Sequence, residues 1–361
     1  MKKTVVAALV GFACTANAAG LEDISISGFG SVAIGKSNND AGYAGYTSER
    51  FDTKRGTKAG IQFDFDINDD AKFTTQLVAN GRYNFDPSIE VAYVTYELGQ
   101  VTARAGKMRT PIFMYSDYLD LGYAYPMIRP SQEVYEHIIV NNYTGADLLI
   151  PFDIGETTLQ LQPLAGISQV EERDSTYGEV DLNQLFGLTA HWYIDDITLR
   201  GSFATAQSSF SGSDTTGQLL LDDKKATFGS IGAQYDNGDA LLIVEGMQMK
   251  LEDTFPDVNS VFALAGYRID EVMPYVSYGY IKSSDDDERE NTLFQSLSFQ
   301  RQSYSLGIRW DFAQAMALKV DATYVDYKDT TGGLTSNLNT TTGQPIYDSS
   351  YVYGASLDFV F

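Results

Sequence analysis

The side chains that could perform chemistry in this sequence are mostly acidic. The chain has 48 Asp and Glu residues against 25 Lys and Arg, a formal charge of −23, and only two histidines, His137 and His191. Two histidines so far apart form neither a metal cluster nor a catalytic triad. The sequence therefore predicts no enzyme and no cofactor. The acidic balance also argues against nucleic acid as a partner, because binding it requires clustered Lys and Arg.

The segment 109–141 is the longest connection in the chain, and it combines charge with aromatic side chains. A segment this apolar is not expected to stay extended in water, so we expect it to be buried against the rest of the protein. Its four carboxylates are Asp117, Asp120, Glu133 and Glu136, and its aromatic residues are Phe113, Tyr115, Tyr118, Tyr123, Tyr125 and Tyr135.

Strands are the elements that must position these side chains. Apolar and polar residues alternate with a period of two, which predicts strands with two different faces. Residues 303–312 show this clearly, because Tyr304, Leu306, Ile308, Trp310 and Phe312 alternate with Ser303, Ser305, Gly307, Arg309 and Asp311. Sixteen strands are predicted at 24–35, 58–67, 71–80, 89–98, 101–108, 142–152, 157–169, 184–194, 197–210, 224–236, 240–252, 258–269, 272–283, 298–312, 316–329 and 350–361.

The connections between the predicted strands alternate in length. Seven short turns, most of them with Gly, Asn or Asp, alternate with eight longer connections. A mean strand length of about 11 residues suits a tilted strand that crosses hydrocarbon. A charge facing mid-bilayer lipid costs about 2–4 kcal/mol, so the charged face must be wet. We therefore predict one domain, residues 19–361, that folds as an all-β, 16-stranded antiparallel transmembrane β-barrel.

Both ends of the sequence favour a membrane barrel over a soluble β-sandwich, which would show the same alternation. Residues 1–18 combine Lys2 and Lys3, an apolar run and an Ala-x-Ala site, and we interpret them as a secretory signal peptide that is removed together with Cys14. Removal of the two lysines lowers the formal charge from −23 to −25. At the other end an aromatic alternating strand finishes on Phe361. Such a strand is tolerated where a closed barrel leaves no free edge.

The predicted strand number has a direct functional consequence. Eight-stranded barrels are filled by their own side chains, whereas sixteen to eighteen strands leave an aqueous channel. An even count also places both termini on the periplasmic side, with the long connections outside. The sequence thus predicts a barrel that conducts. The alternative is a structural or adhesive surface barrel without an open pore.

The signal peptide, the sixteen-strand pattern and the terminal Phe361 resemble the general (diffusion) porins of Gram-negative outer membranes. The resemblance extends over the mature chain and is one of architecture. It implies an integral outer-membrane protein surrounded by lipid and lipopolysaccharide, a homotrimer with one pore per subunit, and recognition of Phe361 by the barrel-insertion machinery. It also implies that the third external loop, here 109–141, folds inward and narrows the pore. The third-loop signature Pro-Glu-Phe-Gly-Gly of the enterobacterial members is absent, and Pro111-Ile112-Phe113-Met114 stands nearby instead.

In that family, acidic loop residues face basic wall residues at the constriction and create a transverse field. The resemblance implies a constriction formed by Arg82, Arg104 and Arg109 with Asp117, Asp120, Glu133 and Glu136. For each of these residues the alternative is an ordinary solvated charge of the wall or rim. By parity Arg200, Arg268, Arg309 and Lys319 also face inward, where we expect them to line the wider wall.

The charge balance predicts the selectivity of such a pore. Acidic runs at 171–174 and 285–290 would make the mouth negative, and a negative vestibule concentrates cations. We therefore expect passive diffusion of small hydrophilic solutes and ions with a weak preference for cations. The 285–290 run could instead hold divalent cations that bridge to lipopolysaccharide. A substrate-specific porin for sugars or anions is the other alternative, since aromatic side chains such as those of the third loop can stack on sugar rings.

Overall fold

The computed structural model describes residues 24–41, 43–136, 140–170, 179–211, 219–252, 256–284, 299–328 and 346–361. These residues form sixteen strands. The strands are β1 (Ile24–Ser37), β2 (Lys58–Asn68), β3 (Ala71–Asn80), β4 (Pro87–Leu98), β5 (Val101–Arg109), β6 (Asn142–Ile154), β7 (Thr157–Val170), β8 (Glu179–Ile194), β9 (Ile197–Ser211), β10 (Leu219–Asp236), β11 (Ala240–Leu251), β12 (Val258–Tyr267), β13 (Val272–Ser283), β14 (Gln300–Ala313), β15 (Met316–Asp326) and β16 (Ser349–Val360).

The strands form one closed sheet in which every strand is antiparallel to both neighbours. Each strand pairs with the next along the chain, and β1 pairs with β16 from Phe29↔Val360 to Ser37↔Val352. Beyond this ladder, Gly28 and Phe361 exchange two backbone hydrogen bonds of 2.8 and 2.9 Å. A closed sheet leaves no edge of unpaired N–H and C=O groups, as a bilayer requires. The predicted sixteen-stranded antiparallel barrel is confirmed.

One face of the sheet carries exposed apolar side chains. Ile231 is 74% exposed, Leu306 64% and Phe203 57%, although all three lie within strands. Large apolar groups in a regular strand are left exposed where the surrounding medium is apolar. This face is the outer surface of the barrel.

The opposite, inner face is polar along several strands. On β15, Lys319, Asp321 and Thr323 are buried. Leu318 and Val320, which alternate with them, are exposed on the outer face. This is the alternation that the sequence predicts for a barrel with a wet interior.

The inner face of β11 and β12 differs from this expectation because it is mostly apolar. Leu241, Ile243 and Met247 on β11, and Phe262 and Leu264 on β12, are all buried in one hydrophobic cluster. The same cluster contains aromatic residues of the connection between β5 and β6. Part of the inner wall is therefore built to be covered by protein.

The first residues predicted for two strands, 184 and 224, are wrong. β8 begins at Glu179 and β10 at Leu219, five residues earlier in each case. Both strands shift register against β9 close to the predicted start, where Gln184 (φ 51°) and Asp223 (φ 50°) have left-handed backbone. A bulge interrupts the alternation of faces, so the part of the strand beyond it looks like a loop in the sequence.

The short turns follow the chemistry that the sequence predicts. In the turn between β10 and β11, the side-chain oxygen of Asn237 accepts hydrogen bonds from the N–H groups of Asp239 (3.1 Å) and Ala240 (2.8 Å). Gly238 has φ 92°, a conformation that strains other residues. Such a turn fixes the register of the two strands that it joins.

In the described ranges, helical structure occurs only in short turns, of which one, α1 (Gln132–Tyr135), is α-helical. No helix in these ranges is long and apolar enough to cross a membrane.

Several sequence-based predictions concern residues outside the described ranges. These are the signal peptide at 1–18 with Cys14, the histidine His137, and the acidic runs at 171–174 and 285–290. The signal peptide stays a prediction.

The two faces of β10 should differ in how well they tolerate an introduced charge. We expect Ile231→Arg to lower the free energy of unfolding in lipid vesicles by about 2–4 kcal/mol, because it places a charge on the outer face in mid-bilayer. Gln234→Arg is the control, because Gln234 lines an inner cavity, and its effect should stay within about 0.5 kcal/mol. Urea titration followed by tryptophan fluorescence measures both. Equal losses would contradict the assignment of the faces.

Candidate functional site

The connection between β5 and β6, described for residues 110–136 and 140–141, has an aromatic core of its own. Phe113, Tyr115, Tyr125 and Tyr135 are buried. The Phe113 and Tyr135 rings lie 4.7 Å apart, and those of Tyr115 and Tyr125 lie 5.5 Å apart. Phe113 also meets Phe228 of β10 edge-on at 5.4 Å. Such aromatic pairs contribute about 0.5–1.5 kcal/mol each beyond area burial, so the connection is a packed unit that rests on the wall.

Hydroxyl groups on neighbouring strands hold the start of this connection. Thr189 on β8 donates a hydrogen bond of 2.6 Å to the carbonyl oxygen of Pro111, and Ser202 on β9 donates to the same oxygen at 3.2 Å. Ser230 on β10 donates to the carbonyl of Ile112 at 2.6 Å. Small hydroxyl side chains allow the two backbones to come close while they satisfy the buried carbonyl groups.

Glu245 on β11 holds the connection at two points. Its Oε1 accepts a hydrogen bond of 2.7 Å from the backbone N–H of Met114, and its Oε2 accepts one of 2.8 Å from the Tyr135 hydroxyl. The side chain is buried among the apolar residues of the inner wall. Glu245 is not among the site residues predicted from the sequence. The sequence signal that could have identified it is its position: it is a single acidic residue on an otherwise apolar face of β11, the face that also carries Ile243 and Met247.

A buried ion pair fixes the end of the connection. Glu133 of α1 and Arg301 of β14 have side chains only 1% and 0% exposed, and Arg301 Nε lies 3.0 Å from Glu133 Oε1. Glu133 Oε2 also accepts hydrogen bonds from Ser303 (2.9 Å) and Tyr43 (3.4 Å). A buried carboxylate requires this full set of partners, because burying it unpaired costs several kcal/mol.

Two further cations hold the middle of the connection through its carbonyl groups. Lys319 Nζ on β15 donates to the carbonyl of Gly122 at 2.6 Å and to that of Met127 at 3.0 Å. Arg309 on β14 donates to the carbonyls of Tyr123 (2.6 Å) and Tyr125 (3.2 Å). These two cations bind the connection itself, whereas the sequence analysis assigned them to the wider wall.

Of the predicted basic residues, the structure brings only Arg109 into contact with a predicted acid. Arg109 pairs with Asp120, and it also lies 3.2 Å from Glu90. Arg104 instead forms a two-pronged pair with Asp147 of β6, with contacts of 2.9 and 2.6 Å. Arg82 is exposed and rests over the Tyr83 ring, 5.9 Å from its centroid.

The predicted acidic residues have different environments. Glu133 is enclosed in its ion pair, whereas Asp117 is exposed. Burial tends to raise the pKa of Asp120, but Arg109 and Lys58 beside it hold that pKa below its usual value. Burial raises the pKa of Glu136, despite the nearby positive charges of Arg301 and Arg82.

Two cavities lie on opposite sides of the connection. The first, about 490 Å³, adjoins the long connections and is lined by Lys58, Arg82, Lys107, Arg109, Asp120 and Glu136, among others. The second, about 310 Å³, adjoins the short turns and is lined by Tyr118, Tyr123, Asp236, Arg268, Arg309 and Asp311, among others. Both are lined by cations and anions together. In the described ranges no three His, Cys, Asp or Glu residues are grouped to hold a metal ion.

Comparison with known proteins identifies the fold. No family model and no curated protein sequence matches this chain. Among solved structures, the outer-membrane protein OmpT of Vibrio cholerae aligns with a TM-score of 0.58 and 14% identity over 94% of this chain and 97% of that one. The outer membrane channel DcaP of Acinetobacter baumannii gives 0.58 and 12% over 95% and 99%.

A third solved structure extends the same result. The anion-selective porin from Comamonas acidovorans aligns with a TM-score of 0.57 and 13% identity over 94% of this chain and 99% of that one. Identities this low show a shared fold and not a shared activity. The chain thus has a porin-like barrel fold along almost its whole length.

The buried pair between Glu133 and Arg301 can be tested by breaking one side of it. Arg301→Met should favour detachment of the β5–β6 connection by about 3–5 kcal/mol or more, because it leaves the buried carboxylates of Glu133 and Glu136 without their charged partner. The rate of tryptic cleavage after Arg129 reports the detached population. Arg301→Met combined with Glu133→Gln should bring the rate back towards wild type, because the amide oxygen still accepts from Ser303. Equal rates in the single and double variants would contradict this account.

Proposed function

We propose that this chain is an outer-membrane porin, a water-filled channel through which small hydrophilic solutes and ions diffuse passively. The observation that carries the proposal is a closed sixteen-stranded barrel with two charged cavities on opposite sides of one anchored connection. A barrel of this size is too wide for its own wall side chains to fill. A packed segment that covers part of the interior leaves a narrow, charged passage.

The β5–β6 connection crosses the lumen in this proposal. Its support is that one short segment bonds strands far apart around the closed sheet. Pro111 is held from β8 and β9, Asp120 lies 3.7 Å from Lys58 of β2, and Gly122 is held by Lys319 of β15. A segment can reach these inner-face side chains together only from within the barrel.

The constriction in this proposal lies beside the larger cavity. Lys58, Arg82 and Arg109 lie on the wall side, and Asp120 and Glu136 lie on the connection. Oppositely charged groups on two sides of a passage set up a transverse field that orients polar solutes. Asp120 is balanced by two cations, whereas Glu136 shares the single charge of Arg301 with Glu133, so the charge of Glu136 contributes to a negative net charge on this side of the passage.

A weak preference for cations is part of the proposal. It is supported by the formal charge of −23, which makes the potential in and around the barrel negative. Structurally similar proteins include one described as an anion-selective porin and one described in a trimer form. We propose a homotrimer here as well, embedded among lipid and lipopolysaccharide and inserted with the help of Phe361.

The direct test is single-channel recording from detergent-folded protein in a planar bilayer. We expect conductance steps in groups of three, and a reversal potential on the cation side when KCl differs across the membrane. Folded, heat-modifiable protein that does not conduct would overturn the porin proposal and favour a structural or adhesive barrel. An anion-sided potential would overturn the cation preference alone.

The selectivity should change with pH because of Glu136. Its raised pKa means that it loses its charge, as pH falls, above the range around 4.5 where an ordinary glutamate does. Cation preference should therefore begin to fall at a higher pH than an unperturbed carboxylate would give. Asp120, with its lowered pKa, stays charged in this range. Reversal potentials recorded from pH 8 to pH 4 measure the effect, and Glu136→Gln should lack this step. An unchanged profile in that variant would refute the assignment.

A further inference from the structure

Arg200 on β9 is a buried arginine on the inner face of the barrel. Its exposed fraction is 5%, and it lies two residues from Ser202, which faces the same side and bonds the carbonyl of Pro111. In the β8–β9 register it stands directly opposite His191. Arg200 therefore lies on the wall beside the start of the β5–β6 connection.

Two nitrogen atoms of the Arg200 guanidinium lack a partner among the described residues. Its Nε and Nη2 atoms are buried without a hydrogen-bond acceptor, and no residue of the described ranges forms a salt bridge with it. Arg104, Arg109 and Arg301, by contrast, are each paired with a carboxylate. An uncompensated buried charge is costly, so its presence calls for a partner from outside the chain.

Two acidic residues, Glu245 and Asp117, attract the positive charge of Arg200, but neither forms an ion pair with it. Glu245 has one oxygen bonded to the Met114 N–H and the other to the Tyr135 hydroxyl. Asp117 is exposed and lies too far away for a salt bridge. The planar guanidinium fork therefore remains available for an anion.

Aromatic side chains lie in the neighbourhood of Arg200, where His191 is its cross-strand partner. His191 stacks on Tyr193 with ring centroids 5.9 Å apart and planes 19° apart. Tyr193 and Tyr118 both lie within electrostatic range of the Arg200 charge. Tyr118 belongs to the β5–β6 connection and lines the smaller cavity. An anion at Arg200 would thus have flat apolar surfaces on which to rest its carbon skeleton.

We propose that Arg200 is a binding subsite for the carboxylate of a small organic acid, whose apolar or ring portion rests against Tyr118, Tyr193 and His191. A guanidinium fork matches the two oxygens of a carboxylate in a bidentate pair. The subsite rests on the proposed porin function, since it gives that channel a solute class. It would slow such acids in a channel that otherwise favours cations.

Benzoate is the probe for this subsite, because it combines a carboxylate with a flat ring. We expect added benzoate to block the KCl current of single channels at a concentration at least about tenfold lower in wild type than in Arg200→Met, as the loss of a charge-assisted hydrogen bond predicts. Benzamide, which has the same shape without charge, should block neither. Lys72→Met removes an equal charge from the short-turn end of β3, where the exposed Lys72 lies 3.4 Å from Asp66, and it should retain block by benzoate.

Equal block in wild type and Arg200→Met would overturn the subsite. Equal loss in Lys72→Met and Arg200→Met would also overturn it, because the effect would then be one of general charge. If Arg200→Met does not fold, Arg200→Lys replaces it, since lysine keeps the charge without the fork and should weaken the block several-fold.

A thermal assay in detergent separates this proposal from the porin proposal. Benzoate should raise the unfolding midpoint of wild type but not that of Arg200→Met, because a ligand stabilises only the protein that binds it. Without benzoate, Arg200→Met should unfold at the same temperature as wild type or higher. A benzoate shift in protein that does not conduct would uphold the subsite and reject the channel. Protein that conducts, but shows neither the thermal shift nor the block by benzoate, would uphold the channel and reject the subsite.

Discussion

The width of a sixteen-stranded barrel is the constraint on which the rest of this structure depends. Closing the sheet satisfies every strand edge, but it creates an interior too wide for the wall side chains to fill. The β5–β6 connection packs against one side of the inner wall. The buried aromatic residues of the connection share one hydrophobic cluster with Ile243 and Met247 of β11, so this side of the barrel behaves as a protein core. The remaining interior stays polar and lined with charge.

Charged groups, and not apolar contact alone, determine where that connection lies. Apolar contacts are non-directional, so an aromatic segment could slide along the apolar wall. The Glu133–Arg301 pair and the two hydrogen bonds to Glu245 fix it at particular points. Replacing a buried pair with apolar groups is often neutral or stabilising, whereas removing one partner is costly. These anchors therefore specify one position of the connection more than they add stability, and the proposed channel would need such specificity to have a defined width.

Sequence patterns predicted the strands of the wall, but they could not predict which side chains pair with each other at the site, and both outcomes have physical reasons. The alternation of faces is local, so all sixteen strands were found. The early starts of β8 and β10 were missed because a bulge reverses the alternation. The partners of the site are far apart in sequence, as Glu133 and Arg301 show. Parity placed Arg104 on the inner face, but its pairing with Asp147 follows only from the β5–β6 register, in which the two residues are opposite.

Arg200 differs from the other buried cations on the inner face of the barrel, because those cations are paired. Lys58 and Arg109 pair with Asp120 of the connection, whereas Lys319 pairs with Asp358 of β16 and donates to two carbonyl groups of the connection. A cation that served only as an anchor would be expected to show the same pairing. Arg200 of β9 is as deeply buried as Arg109, yet no hydrogen bond or ion pair joins its guanidinium to the described residues. Leaving this charge unpaired lowers the stability of the folded protein, and no contact with the described residues compensates for that loss. A carboxylate solute that binds Arg200 would supply the missing partner.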